Sequence, residues 1–147
     1  MEHAVKLHSP NASKKGIHLE KVARASDTSA TLDKKLVSRV IDNLISNAVK
    51  FSNPDTRIKL ILESDDSTVS LKVEDEGPGI PEEEFHALFK EFGRTSNLPT
   101  GGESSSGIGL FVCQRIMQRH EGDISAENRS EVGARFTITF KRELTDE

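Results

Sequence analysis

Between Asp33 and Phe51 the chain sets Val37, Val40, Ile41, Leu44, Ile45, Ala48 and Phe51 on one helical stripe, with Asp33 placed to cap the first turn. A stripe of seven apolar side chains needs an apolar surface to cover it, and the sequence supplies one as strands. Residues 58–62 and 69–73 alternate with period two and are joined by the polar run Glu63 to Ser67, which predicts a β-hairpin. Residues 122–127 and 134–140 predict a second strand pair, and 17–22 a first strand. A second helix is expected from about Pro81 to Phe89, with proline in its first turn. A third is expected from Gly107 to His120, with Gly122 just past its end. This order implies an α+β fold, a two-layer sandwich in which a mixed sheet carries three main helices on one face.

A chain of 147 residues with 34% apolar content predicts one domain, residues 1–147, around a single core. No apolar run is long enough for a bilayer, the opening Met1-Glu2-His3 has no signal-peptide character, and Cys113 is the lone cysteine. The expectation is a cytoplasmic chain with no internal disulfide and no direct membrane contact. Its formal charge is −4, with Lys and Arg scattered, which argues against nucleic acid as a partner. An anionic ligand would need local donors or a metal. Residues 95–106 are rich in Gly, Ser and Thr, too poor in apolar groups to offset their ordering entropy, and predict a mobile lid over about 93–106.

Three separated stretches carry the chemistry. Asn43, Asn47 and Lys50 are spaced i, i+4, i+7 and share one narrow helix face. Asparagine is a mediocre helix former, so two on one face ask for a reason. A hard cation such as Mg²⁺ takes oxygen ligands and bridges phosphates, so Asn47 could hold it while Asn43 and Lys50 orient the phosphate chain. Asp75 precedes Gly77-Pro78-Gly79-Ile80, a turn whose glycines allow backbone to approach a planar base closely. The carboxylate of Asp75 would accept from an exocyclic amine such as that of adenine. Gly107-Ile108-Gly109-Leu110 sits where the lid meets a helix N-terminus, so backbone N–H groups and the positive dipole end face incoming phosphates. Arg94, on the lid, could swing toward a γ-phosphate, and Phe89 and Phe92 anchor the lid base.

In this order the segments resemble the catalytic, ATP-binding domain of bacterial sensor histidine kinases, within the wider family of type II topoisomerases, heat-shock chaperone ATPases and mismatch-repair ATPases. Residues 42–52 look like that family's N box, Asp75 to Ile80 its first glycine box, Phe89-x-x-Phe92 its phenylalanine box and 107–110 its second glycine box. Residues 133–137 resemble its terminal glycine-strand element. The likeness covers nearly the whole chain and implies the Bergerat-type ATP-binding fold, with ATP and Mg²⁺ as cofactors. It implies Asn47 as the Mg²⁺ ligand and Asp75 as the adenine reader, with Lys50 and Asn43 contacting phosphate or metal-bound water. Phe51, Ile80 and Leu110 become pocket walls. Gly77, Gly79, Ser106, Gly107, Ile108 and Gly109 line the nucleotide, and Thr137 is a further contact. Ser105 stands where many relatives carry another glycine, and Glu131 replaces one before Gly133.

Position 43 separates the branches. The hydrolysing members resembled here have a glutamate one turn before the metal-binding asparagine, and Asn43 cannot deprotonate water, so transfer to an imidazole is favoured. No catalytic acceptor is expected in this chain. His3, His8, His18, His86 and His120 all lie outside the helical acceptor motif of the family. The implied partners are ATP, a histidine-containing dimerisation domain that this chain lacks, and indirectly a response regulator. A regulatory ATP-binding module would share every pocket residue, and a serine kinase of the anti-sigma-factor kind would differ mainly in its acceptor.

Overall fold

A computed structural model describes residues 2–24, 33–90 and 109–142. The elements follow as α1 (Glu2–Lys14), β1 (His18–Arg24), α2 (Lys34–Phe51), β2 (Arg57–Ser64), β3 (Thr68–Glu74), a 3₁₀ turn (Glu82–Ala87), α3 (Gly109–Arg119), β4 (Asp123–Asn128) and β5 (Ala134–Lys141). The five strands form one sheet in the order β1-β2-β3-β5-β4, with β1 parallel to β2 and the remaining pairs antiparallel. Both expected strand pairs are present.

One sheet face is apolar because the strands alternate in register. Leu60 pairs with Val73 and Val73 with Phe136; Leu71 pairs with Ile138 and Ile138 with Ile124, all buried under the helices. The opposite face carries polar partners such as Lys72 with Glu63 and Arg135 with Glu74. The β2–β3 turn is set by Asp65, whose Oδ1 accepts from the N–H groups of Ser67 and Thr68 at 2.8 and 2.7 Å.

Helix α2 starts where expected, because Asp33 Oδ1 accepts from the N–H of Lys35 at 3.1 Å and of Leu36 at 3.2 Å. Val37, Val40, Leu44, Ile45 and Ala48 are buried, each larger side chain contributing about 1.5–3 kcal/mol by leaving water, while Ile41 and Phe51 are half-buried. Val49 is buried too, outside the predicted stripe. It stands two turns from Asp42, which pairs with His8 of α1 at 3.1 Å, so it lies on the flank that α1 covers. Lys15, just after α1, donates from Nζ to the Val49 and Lys50 carbonyls at 2.7 and 3.1 Å and so caps the end of α2.

Two helical expectations change. The segment after Pro81 forms only a six-residue 3₁₀ turn with no buried residue of its own. The third α-helix is instead α1, built through Pro10 and seated on the sheet and α2 by Ala4 and Ala12.

Candidate nucleotide site

Asp75 follows β3 and is only 5% exposed. Its Oδ1 accepts two hydrogen bonds of 3.0 Å, from the N–H of Gly77 and from the N–H of Ala134 on β5. Those two bonds shape the turn. Among the described residues Oδ2 takes no hydrogen bond, leaving one carboxylate oxygen to accept from a ligand. Burial pushes the Asp75 pKa above the ordinary carboxylate value, opposed by the two N–H groups and by the nearby Arg129 guanidinium.

The glycine turn is pressed against α2. A Cβ on Gly77 would run into the Phe51 carbonyl oxygen, so only glycine lets the turn reach the end of that helix. On the strand side Gly133, at φ +84°, passes so close to the Asp75 carbonyl that a side chain there would overlap it. Glu76 closes the base of the turn, its Oε1 accepting from the N–H of Arg57 at 2.7 Å. Ile80 is buried at the edge of the hydrophobic core.

Asn43 and Asn47 project from one face of α2, Asn43 near its middle and Asn47 one turn closer to the end that touches Gly77. Both are half-buried. The Asn43 amide donates back to the Arg39 carbonyl at 3.0 Å, leaving its oxygen turned toward Gly109, the first described residue of α3. Lys50 and Phe51 close the same helix, and Leu110 packs half-buried on the core beside α3's start. The fold therefore brings Asn43, at the middle of α2, against Gly109, and Phe51, at its end, against the Asp75–Gly77 turn.

Thr137 does not join them. It pairs with Lys72 and Ser125, between the buried Phe136 and Ile138, so alternation turns it to the face away from the helices. Ala134, three residues earlier, makes the Asp75 contact through its backbone. Arg94, Ser106, Gly107, Ile108, Phe92 and the 93–106 segment lie outside the described residues. Phe89 packs edge-on against Phe136, ring centres 6.4 Å apart, as an anchor to the core.

Sequence reasoning missed the supports. Arg129 donates from Nη1 to the Asp75 carbonyl at 2.8 Å, and Asn128 makes two bonds to the Ile80 backbone. Glu74, only 7% exposed, is held by Arg135 Nε at 2.6 Å. The run Glu127-Asn128-Arg129 before a glycine was the available signal, but a polar turn reads as solvated. A separate open depression of about 460 Å³, lined by His8, Lys35, Arg39, Asp42 and Asn43 among others, lies between α1 and α2 and meets the asparagine face only at Asn43.

Residues 32–144 match the family model described as histidine kinase-, DNA gyrase B- and HSP90-like ATPase. The chain belongs to this ATPase family. A curated relative, the sensor histidine kinase YvrG of Bacillus subtilis, is 32% identical over 133 residues, 90% of this chain and 23% of that protein. This ATPase-family chain thus spans less than a quarter of that relative's length. Among solved structures, the nucleotide-free catalytic domain of histidine kinase ThkA superposes with TM-score 0.81 at 25% identity, covering 96% of this chain and 90% of that one. Full-length ShkA in complex with AMPPNP gives TM-score 0.84 at 22% identity, covering 99% of this chain and 30% of that one, and so shares the fold. The mixed sheet with helices on one face is the architecture of these catalytic domains.

Proposed function

We propose that this domain binds ATP with Mg²⁺ and donates the γ-phosphoryl group to a histidine on a separate dimerisation domain, as part of two-component signalling in the cytoplasm. The observation that carries the reading is Asp75: a buried carboxylate with one oxygen bonded to two backbone N–H groups and the other left to accept a base amine. Adenine offers that amine, whereas guanine would set a carbonyl against the carboxylate. The AMPPNP bound by ShkA supports an adenine nucleotide as the ligand class.

The donor set suits Mg²⁺ as a partner of phosphates. Asn47 would hold the ion through one neutral amide oxygen. When bound, Mg²⁺ supplies charge neutralisation at the β- and γ-phosphates. Asn43 and Lys50 would orient the phosphate chain from the same helix face, and Gly109 opens α3 beside Asn43.

Phosphotransfer rather than hydrolysis follows from position 43. An amide holds a phosphate or a water in place but removes no proton from it, so the domain positions the γ-phosphoryl and leaves nucleophilicity to an external imidazole. The test is phosphotransfer from radiolabelled ATP to a supplied histidine-hairpin domain of a sensor kinase. Labelled, acid-labile hairpin is expected. ATP binding without transfer would favour a regulatory module, and label stable to acid on serine would favour a serine kinase.

A further inference from the structure

We infer that Asn128 is a positioning residue for the base end of the pocket, acting through the Ile80 backbone; the inference rests on the nucleotide reading above. Its side-chain amide grips a single residue at two points. Nδ2 donates to the Ile80 carbonyl at 2.7 Å, and the Ile80 N–H donates to Oδ1 at 2.7 Å. A primary amide offers a donor and an acceptor side by side, so it pairs with a backbone N–H and C=O much as an adjacent strand does. Here it extends the sheet's pairing from β4 to the far end of the turn, beyond the Ala134 bonds to Asp75.

The clamp belongs to a larger device. Asn128 ends β4 opposite Ala134, the residue whose N–H holds Asp75 Oδ1. Arg129, next in the chain, donates to the Asp75 carbonyl at 2.8 Å and stands 3.9 Å from Glu74. The end of β4 and the residue after it therefore hold both ends of the Asp75–Ile80 segment, Arg129 at the Asp75 backbone carbonyl and Asn128 at the apolar wall. Between these two grips the base must fit, its amine at Asp75 and its ring against Ile80. Asn128 itself is exposed, so changing it leaves the core intact and alters the placement of Ile80.

The substitutions separate geometry from bulk. Asn128→Ala removes both bonds; Asn128→Asp keeps the acceptor for the Ile80 N–H but sets an oxygen against the Ile80 carbonyl. Adenosine and Mg²⁺-ATP are titrated by NMR into the full chain and both variants, each also melted thermally. The expected result is cooperative melting and a weakening of roughly tenfold in Asn128→Ala, equal for adenosine and ATP because the defect lies at the base, with Asn128→Asp weaker still. If Asn128→Asp does not fold, Asn128→Ser, with one hydroxyl, carries the comparison.

Unchanged affinities with a lowered melting temperature would overturn the inference, leaving Asn128 a strut. Loss for ATP alone would also overturn it, because the effect would then sit at the phosphates. A wild-type chain that bound neither ligand would refute the nucleotide reading itself, and this inference with it, whatever the variants did.

Discussion

Asp75 and Ala134, 59 residues apart, are joined in both directions: the Ala134 N–H donates to Asp75 Oδ1 at 3.0 Å, and the Asp75 N–H donates to the Ala134 carbonyl at 3.0 Å. The carboxylate is thereby attached to the central strands of the sheet. It is a preorganised acceptor, held before any ligand arrives.

Asp75→Asn separates binding from folding. The amide oxygen can still accept from Gly77 and Ala134, but the charged acceptor for the base amine is gone, a loss of about 1.5–3 kcal/mol, or roughly tenfold or more in affinity. Stability moves the other way with pH. Because the folded-state pKa is raised, wild type carries a stabilisation below about pH 4 that is lost as pH rises through the folded value, and the variant lacks that loss. Melting curves are expected to show the variant gaining on wild type with rising pH while ATP titration shows weaker binding.

Asn47→Ala should abolish the Mg²⁺ enhancement of ATP binding while leaving metal-free binding nearly unchanged. The check is a nucleotide titration with Mg²⁺ and with a chelator. Persistence of the enhancement would remove Asn47 as the ligand.

Gly133→Ala should be among the most damaging small substitutions. The new methyl would overlap the Asp75 carbonyl at a backbone angle of φ +84°, so strain and displacement of Asp75 arrive together. A destabilisation of more than about 2 kcal/mol by denaturant unfolding is expected, with ATP binding lost.

Cys113 should be inert in the native chain. It is fully buried on α3 against the Val40 carbonyl, and burial pushes its thiol up to about 12, so almost no thiolate exists at neutral pH. Iodoacetamide is expected to modify it only under denaturant; rapid native labelling would contradict the packing of α3 on α2.

The parts legible in the sequence were those set by local pattern. The α2 stripe, the Asp33 cap and the two alternating strand pairs follow from periodicities of 3.6 and 2. Helix α1 escaped because small alanines seat it and Pro10, a residue that argues against helix, lies inside it. The Pro81 segment opens with three successive glutamates, its core-facing Phe85, Leu88 and Phe89 come only at its end, and it stops at a 3₁₀ turn. The placement of Asn43 and Asn47 on one helix face, and of Asp75 and Gly77 in one turn, was readable from spacing. Asn128 and Arg129 were not, since their partners lie 48 and 54 residues away and only the folded sheet brings them together.

Calorimetric titration of the wild-type chain with ATP and with GTP, both in Mg²⁺, bears most directly on the central claim that Asp75 reads an adenine. Saturable heat is expected with ATP, and at least tenfold weaker binding of GTP, because the buried carboxylate then loses its donor. Equal affinity for the two nucleotides, or no heat with either, would contradict it.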